Sequence, residues 1–263
     1  MKNKDFESIE PSNLKKFTRK NPEQILYDNL YKKFGERFVN YRKRYENNVK
    51  NLDMHTVESY PNSVILELVN RCNLECVMCY QGFRNDSEKS TLDDEILDKI
   101  FLDFKENNLN SLMLSTSEPL LFKNINQVLN RAKEANIMDI FLFTNGVLLN
   151  EKNTEMILNS AVSRLFVSID GLSEETYNKV RVPVSKRLRE SNDRLSKLEK
   201  NIRYFMDQRD KKNLSLPLVR TSFVSLKENK LESQEFVNKW RNIVDSVEVQ
   251  KETSIQAFND FEK

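Results

Sequence analysis

All three cysteines of this 263-residue chain fall within one eight-residue stretch, Cys72-Asn73-Leu74-Glu75-Cys76-Val77-Met78-Cys79. Cysteines this close together, and odd in number, do not make a disulfide framework. They suit a reducing compartment and a metal. Polar Asn73 and Glu75 between them do not read as core. Thiolates are the soft ligands that iron-sulfur clusters demand, and three on one short loop reach three irons of a cubane while leaving the fourth without a protein ligand. An open iron is a place where a substrate or cofactor coordinates, by the logic that separates catalytic from structural zinc sites. A zinc site is the alternative reading. It wants a fourth protein ligand, and the single histidine, His55, lies far upstream across a predicted strand.

The texture around the motif says what carries it. From Pro61 onward, short apolar runs alternate with longer amphipathic stretches, the pattern of repeated βα units around a parallel sheet. Six strands are predicted at Val64–Val69, Leu112–Ser115, Ile140–Thr144, Leu165–Ile169, Leu218–Val224 and Val247–Val249. Helices are predicted between them, one with Leu92, Ile96, Ile100 and Phe104 on its apolar face and another with Leu195, Leu198, Ile202 and Phe205. The charges from Lys186 to Lys200 read as the solvated face of a surface helix. Residues 1–60 form an N-terminal accessory segment that lacks strand patterning. There Asn21-Pro22-Glu23 reads as a helix start, followed by Leu26, Leu30, Phe34 and Phe38 at helical spacing over residues 22–50. The core is expected over 61–250, with a tail at 251–263.

Composition excludes other classes. With 42 basic against 40 acidic side chains and no block of one sign, there is no electrostatic footprint for nucleic acid. No run approaches the roughly 18 to 20 apolar residues a membrane helix needs, and the polar start has no signal-peptide core, so a cytoplasmic protein is expected.

The C-x3-C-x2-C spacing followed by Tyr80, on the loop after the first of six predicted strands, resembles the radical S-adenosylmethionine (radical SAM) superfamily. Glu67-Leu68-Val69-Asn70-Arg71-Cys72-Asn73-Leu74 resembles the branch of molybdenum-cofactor and SPASM-type peptide-maturing enzymes. The resemblance covers residues 61–250 and implies an α/β fold, a partial (β/α)6 TIM-like barrel with the N-terminal helical segment attached. It implies a 4Fe-4S cluster on Cys72, Cys76 and Cys79, and S-adenosyl-L-methionine chelating the open iron. One electron from a donor such as flavodoxin or ferredoxin then cleaves the sulfonium, and a 5′-deoxyadenosyl radical abstracts hydrogen from a small-molecule or peptide substrate. That step needs no general base, so a chain with one histidine is no objection.

The resemblance also implies further cofactor-binding positions. Thr116-Ser117-Glu118-Pro119 stands where the family usually has Gly-Gly-Glu-Pro, which binds the methionine amine; both glycines are replaced. Asn145, in Thr144-Asn145-Gly146, matches the turn after the third strand. Ser168 and Asp170 match residues beside the ribose or methionine carboxylate, and Arg181 matches an arginine found downstream of the fourth strand, a partner for that carboxylate; Met78 and Val224 are candidates for packing on adenine. Each has an ordinary reading as well. Ser-Glu-Pro is a helix entry, Asn-Gly a turn, Asp170 a cap for a helix starting near Ser173, Arg181 a surface ion pair, and Met78 and Val224 core. On the fourth strand the period of two puts Leu165, Val167 and Ile169 toward outer helices and Ser168 and Asp170 inside. On the fifth, either Arg220, Ser222 and Val224 or Val219, Thr221 and Phe223 line the cavity. Trp240 carries no functional signal. Many relatives of this branch continue into a cysteine-containing domain, whereas this chain reaches Lys263 without another cysteine. Two alternatives therefore stand: a truncated or degenerate cluster-binding accessory protein without catalysis, and a small zinc-binding module.

Overall fold

A computed structural model describes residues 14–18, 21–50, 58–80 and 90–252. His55 and most of the predicted tail lie outside the described residues. The six predicted strands are present as β2 (Ser63–Leu66), β3 (Ser111–Leu114), β4 (Asp139–Thr144), β5 (Arg164–Ser168), β6 (Leu218–Ser225) and β7 (Ser246–Lys251). They lie in chain order across one sheet, each parallel to the next. Sequential parallel order needs a crossover after every strand. These carry α3 (Asp94–Glu106), α4 (Ile125–Glu134), α5 (Glu151–Leu158), then α6 (Glu174–Val180), α7 (Lys186–Arg189) and α8 (Arg194–Lys211), and α9 (Ser233–Trp240). This is the α/β partial barrel expected from the sequence.

Strand periodicity decides which way the sheet faces. Leu112, Leu114, Ile140, Leu142, Leu165, Val167, Val219 and Phe223 are essentially inaccessible and pack with the helices in one core. Burying each such side chain contributes about 1.5–3 kcal/mol. A one-residue slip would turn Ser168, Arg220 and Ser222 into that core, so register is tightly specified. The question left open for β6 is thereby answered: Val219, Thr221 and Phe223 are buried against helices, and Arg220, Ser222 and Val224 stand on the concave face. In α8, Leu195, Leu198, Ile202 and Phe205 are all buried, and Trp240 joins the core beside Phe223 and Phe236.

Three expectations are corrected. The N-terminal segment does contain a strand, β1 (Leu14–Thr18), which pairs antiparallel with β7. Five residues without alternating apolar side chains gave no periodic signal, and β1 is fixed by the free edge of β7. In α3 the buried positions are Leu97, Phe101 and Phe104, while Ile96 is 44% exposed. Apolar side chains stand at both 96 and 97 and at both 100 and 101, and the stripe that packs is the one through Leu97, Phe101 and Phe104. Among the charges from Lys186 to Lys200, Arg194 is buried, donating to Asn178 Oδ1 at 2.7 Å and to the Arg181 carbonyl at 2.6 Å.

The N-terminal helices α1 (Pro22–Phe34) and α2 (Glu36–Lys50) pack Leu26, Leu30, Phe38 and Tyr41 on Met138 and Leu218. Asn21 caps α1 as expected, accepting from Gln24 N at 3.1 Å. A polar network ties these helices to the sheet. Fully buried Asp139 accepts from Ser163 Oγ, from Arg164 Nε at 3.3 Å and from Tyr41 Oη at 3.3 Å, and Arg164 also meets Glu23 at 3.0 Å. Removing one member of a buried ion pair leaves the other unanswered. Asp139→Ala is therefore expected to lower the unfolding free energy in urea by about 3–5 kcal/mol. Glu23 is 56% exposed, and Glu23→Ala is expected to change it by less than about 1 kcal/mol.

Candidate active site at the carboxyl end of the sheet

The cysteine loop leaves β2 and is anchored at both ends. Leu68 and Val69 sink into the core, Leu92 N donates to Leu68 O at 3.0 Å, and Leu74 is buried in mid-loop. Its backbone is laced to the segment after α6. Glu75 N donates to Val182 O at 2.7 Å, Val77 N to Val180 O at 3.1 Å, and Val184 N to Asn73 O at 3.1 Å. Leu74 and Pro183 form an antiparallel bridge. This strap, Val180–Val184, was missed by sequence reading, since five residues around a proline carry no periodic signal. Cys76 is buried; Cys72 and Cys79 are half-buried, and Met78 beside them is half-buried too.

The sulfurs of Cys72 and Cys76 face hydrogen-bond donors. Cys72 Sγ accepts from Leu74 N at 3.5 Å and Asn145 Nδ2 at 3.6 Å, and Asn145 Nδ2 also donates to Asn73 Oδ1 at 2.6 Å. Cys76 Sγ accepts from Arg181 Nη1 at 3.4 Å. Burial pushes the Cys72 thiol up to about 11 and Cys76 upward as well, the latter opposed by the Arg181 charge. Metal binding is what deprotonates such thiols. Among the described residues no group of three or more His, Cys, Asp or Glu side chains is arranged to hold a single metal ion. A cubane spreads its thiolates over different irons, so three cysteines with donors turned to two of their sulfurs fit a cluster.

The neighbouring loops are built around Glu118. This carboxylate is fully buried and accepts from Leu120 N at 3.2 Å, Thr144 Oγ1 at 2.8 Å and Asn145 N at 2.8 Å. Burial pushes its carboxyl up to about 7, against three donors that favour the charged form. Glu118 therefore holds the loop after β3 to the loop after β4 and sets Asn145 beside Cys72. Gly146 completes that turn at φ 73°, where a Cβ would stand 2.4 Å from Leu198 Cδ1. Ser117 donates to Glu67 Oε1 at 2.6 Å, and Thr116 is exposed at φ 85°. A β-branched residue is strained there, and the position is one where glycine is at ease.

At the end of β5, Ser168 is half-buried and shares a hydrogen bond of 3.3 Å with Ser222. Asp170 is one layer behind the concave face. It is fully buried, accepts from Val224 N at 2.6 Å and is ion-paired with Arg181 Nη2. It does not cap α6; Ser173 does, accepting from Thr176 N at 3.1 Å. Arg181 is likewise not a surface residue, being buried between Asp170 and Cys76. Lower on the concave face, Phe141 and Phe143 meet the Phe166 ring edge-on, Arg220 lies 3.5 Å over Phe166, and Arg220 pairs with buried Glu248. That pair was missed by sequence reading, because it depends on the register of β7 against β6.

The sequence profile of the Radical SAM superfamily matches residues 66–212, more than half of the chain and all three cysteines with it. The chain belongs to the radical SAM superfamily. Its cofactors are accordingly a 4Fe-4S cluster and S-adenosylmethionine. A probable GTP 3',8-cyclase of Methanococcus maripaludis (strain C5) is 32% identical over 117 residues, which are 44% of this chain and 39% of that protein. Another of Methanocaldococcus jannaschii is 30% identical over 118 residues, 45% of this chain and 39% of that protein. The chain thus matches about two fifths of the length of these curated relatives. Among solved structures, Streptococcus suis SuiB bound to S-adenosylmethionine aligns with a TM-score of 0.56 at 18% identity, covering 82% of this chain and 46% of that one. That likeness is one of fold.

The strain at Thr116 is testable without any cofactor. Thr116→Gly removes a left-handed β-branched residue, and the chain is expected to gain about 1 kcal/mol, read as a higher midpoint of thermal unfolding.

Proposed function

We propose that this chain cleaves S-adenosylmethionine reductively at a 4Fe-4S cluster held by Cys72, Cys76 and Cys79 and uses the product radical to abstract hydrogen from a small-molecule or peptide substrate. The observation that carries the reading is the three-cysteine loop at the carboxyl end of a parallel sheet, laced to the Val180–Val184 strap, with donors turned to two of its sulfurs. Ligands of barrel folds sit at that end. Bound there, the cofactors supply one-electron cleavage and hydrogen abstraction; the protein holds, orients and shields.

Roles follow position. Thr116 and Ser117 present backbone to the methionine amine, with Glu118 fixing their loop. Asn145 orients Cys72, and Ser168 faces the ribose or carboxylate from the concave side. Met78 and Val224 pack on adenine. Asp170 and Arg181 support the loop from behind. The substrate meets the concave face, whose aromatic floor of Phe141, Phe143 and Phe166 carries the Arg220–Glu248 pair. The relatives are named for a guanine nucleotide reaction, and SuiB has been seen with its precursor peptide SuiA, so a nucleotide and a peptide are the first substrates to try. A flavodoxin or ferredoxin supplies the electron. Among the described residues no helix is long and apolar enough to cross a membrane.

The test is anaerobic reconstitution with iron and sulfide, then S-adenosylmethionine and dithionite, with 5′-deoxyadenosine measured for the parent and for Cys76→Ala. Product from the parent and a fall to background in the variant are expected. A loaded parent that makes none points instead to a cluster-binding protein without catalysis; a parent that takes up zinc and no iron removes the reading.

A further inference from the structure

Resting on the reading that Cys76 is a cluster ligand, we propose that Arg181 raises the reduction potential of the cluster through its hydrogen bond to Cys76 Sγ, and that Asp170 is the counter-charge that limits the rise.

The geometry is specific. Arg181 leaves the end of α6, is 8% exposed, and turns one nitrogen, Nη1, to Cys76 Sγ at 3.4 Å and the other, Nη2, to the Asp170 carboxylate. Its own backbone is held on both sides. Its N–H donates to Tyr177 O at 2.8 Å and its carbonyl accepts from Arg194 Nη2 at 2.6 Å. Asp170 is held as firmly. It occupies a left-handed turn at φ 58°, its Oδ1 accepts from Val224 N, and its carbonyl accepts from Asn229 Nδ2 at 3.0 Å. The following Gly171 lets the turn lie on α6, since a Cβ there would stand 2.7 Å from Tyr177 Cα. An arginine side chain stays protonated in proteins, and the facing Asp170 carboxylate answers its buried charge.

The two sulfurs are thus treated differently. Cys72 receives neutral donors, a backbone amide and an asparagine amide; Cys76 receives a cation. Reduction adds one negative charge to a cluster, and hydrogen bonds and positive charge at the sulfurs favour that added charge. If packing alone were served, an apolar side chain at 181 with an apolar partner at 170 would fill the space without burying two charges. The pair has opposite signs at different distances from the sulfur. Removing one member and removing the other should therefore move the potential in opposite directions.

The test uses the reconstituted full chain without S-adenosylmethionine. Iron and sulfide content are measured first, then the potential is found by redox titration followed by electron paramagnetic resonance of the reduced cluster. Arg181→Gln is expected to shift the potential to more negative values, and Asp170→Asn, which keeps an acceptor for Val224 N, to less negative ones. Arg181→Lys should stay nearer the parent than Arg181→Gln. Potentials that do not move, or that move the same way in both variants at full iron content, overturn the inference. If Arg181→Gln holds no cluster, Asp170→Asn decides alone, and a potential that does not become less negative in it overturns the inference. A parent without iron and sulfide overturns the proposed function itself, and the metal analysis distinguishes that outcome from a failure of the Arg181 inference alone.

Discussion

A guanidinium buried against a thiol sulfur persists only if its charge is met nearby, and here it is met by Asp170 at the end of β5. The ion pair does more than neutralise. It fixes where α6 ends, and the strap that follows, Val180–Val184, takes its starting point from Arg181. The strap carries the amide and carbonyl partners of the cysteine loop, so the loop's shape is transmitted from a strand end through one ion pair and three backbone hydrogen bonds. Loops with such partners are held far more closely than their lack of regular structure suggests.

A second tie reaches the same loop from the other side. Glu118 gathers the loops after β3 and β4 into one unit, and Asn145 hands the result to Cys72 and Asn73. The site is therefore built from the carboxyl ends of four neighbouring strands, each contributing through a buried polar contact. Thr116 shows the strain such an assembly tolerates. Its left-handed backbone leads into two residues that are already fixed, Ser117 by Glu67 and Glu118 by its three donors.

Much of this was legible in the sequence. The six parallel strands followed from apolar periodicity, because buried faces repeat with a fixed period. The cysteine loop followed from spacing, because ligand chemistry is local. What escaped depended on contacts between distant segments. Asp170 reads from the sequence as a residue beside the cofactor or, alternatively, as a helix cap, and neither reading points to its partner, eleven residues away across a turn and a helix. Arg194 read as solvated because its helix is charged, yet it is buried against Asn178 and the Arg181 carbonyl. The one-residue phase error in α3 arose because apolar residues are paired at 96–97 and 100–101, and spacing alone does not choose between the two stripes. β1 was invisible because an edge already present can recruit a strand with little pattern of its own.

β1 carries a consequence for how the sheet ends. A strand has two edges, and β7 uses one for β6 and the other for β1. β7 therefore has no edge left with which to pair β2. Among the described residues β2 ends the sheet, and Ile65, on its concave side, is 60% exposed. Among the described residues no hydrogen-bonded strand joins the first parallel strand to the last. Among the described residues the concave face is therefore open beside β2 as well as at its rim, and a long molecule reaches it from the side without threading through.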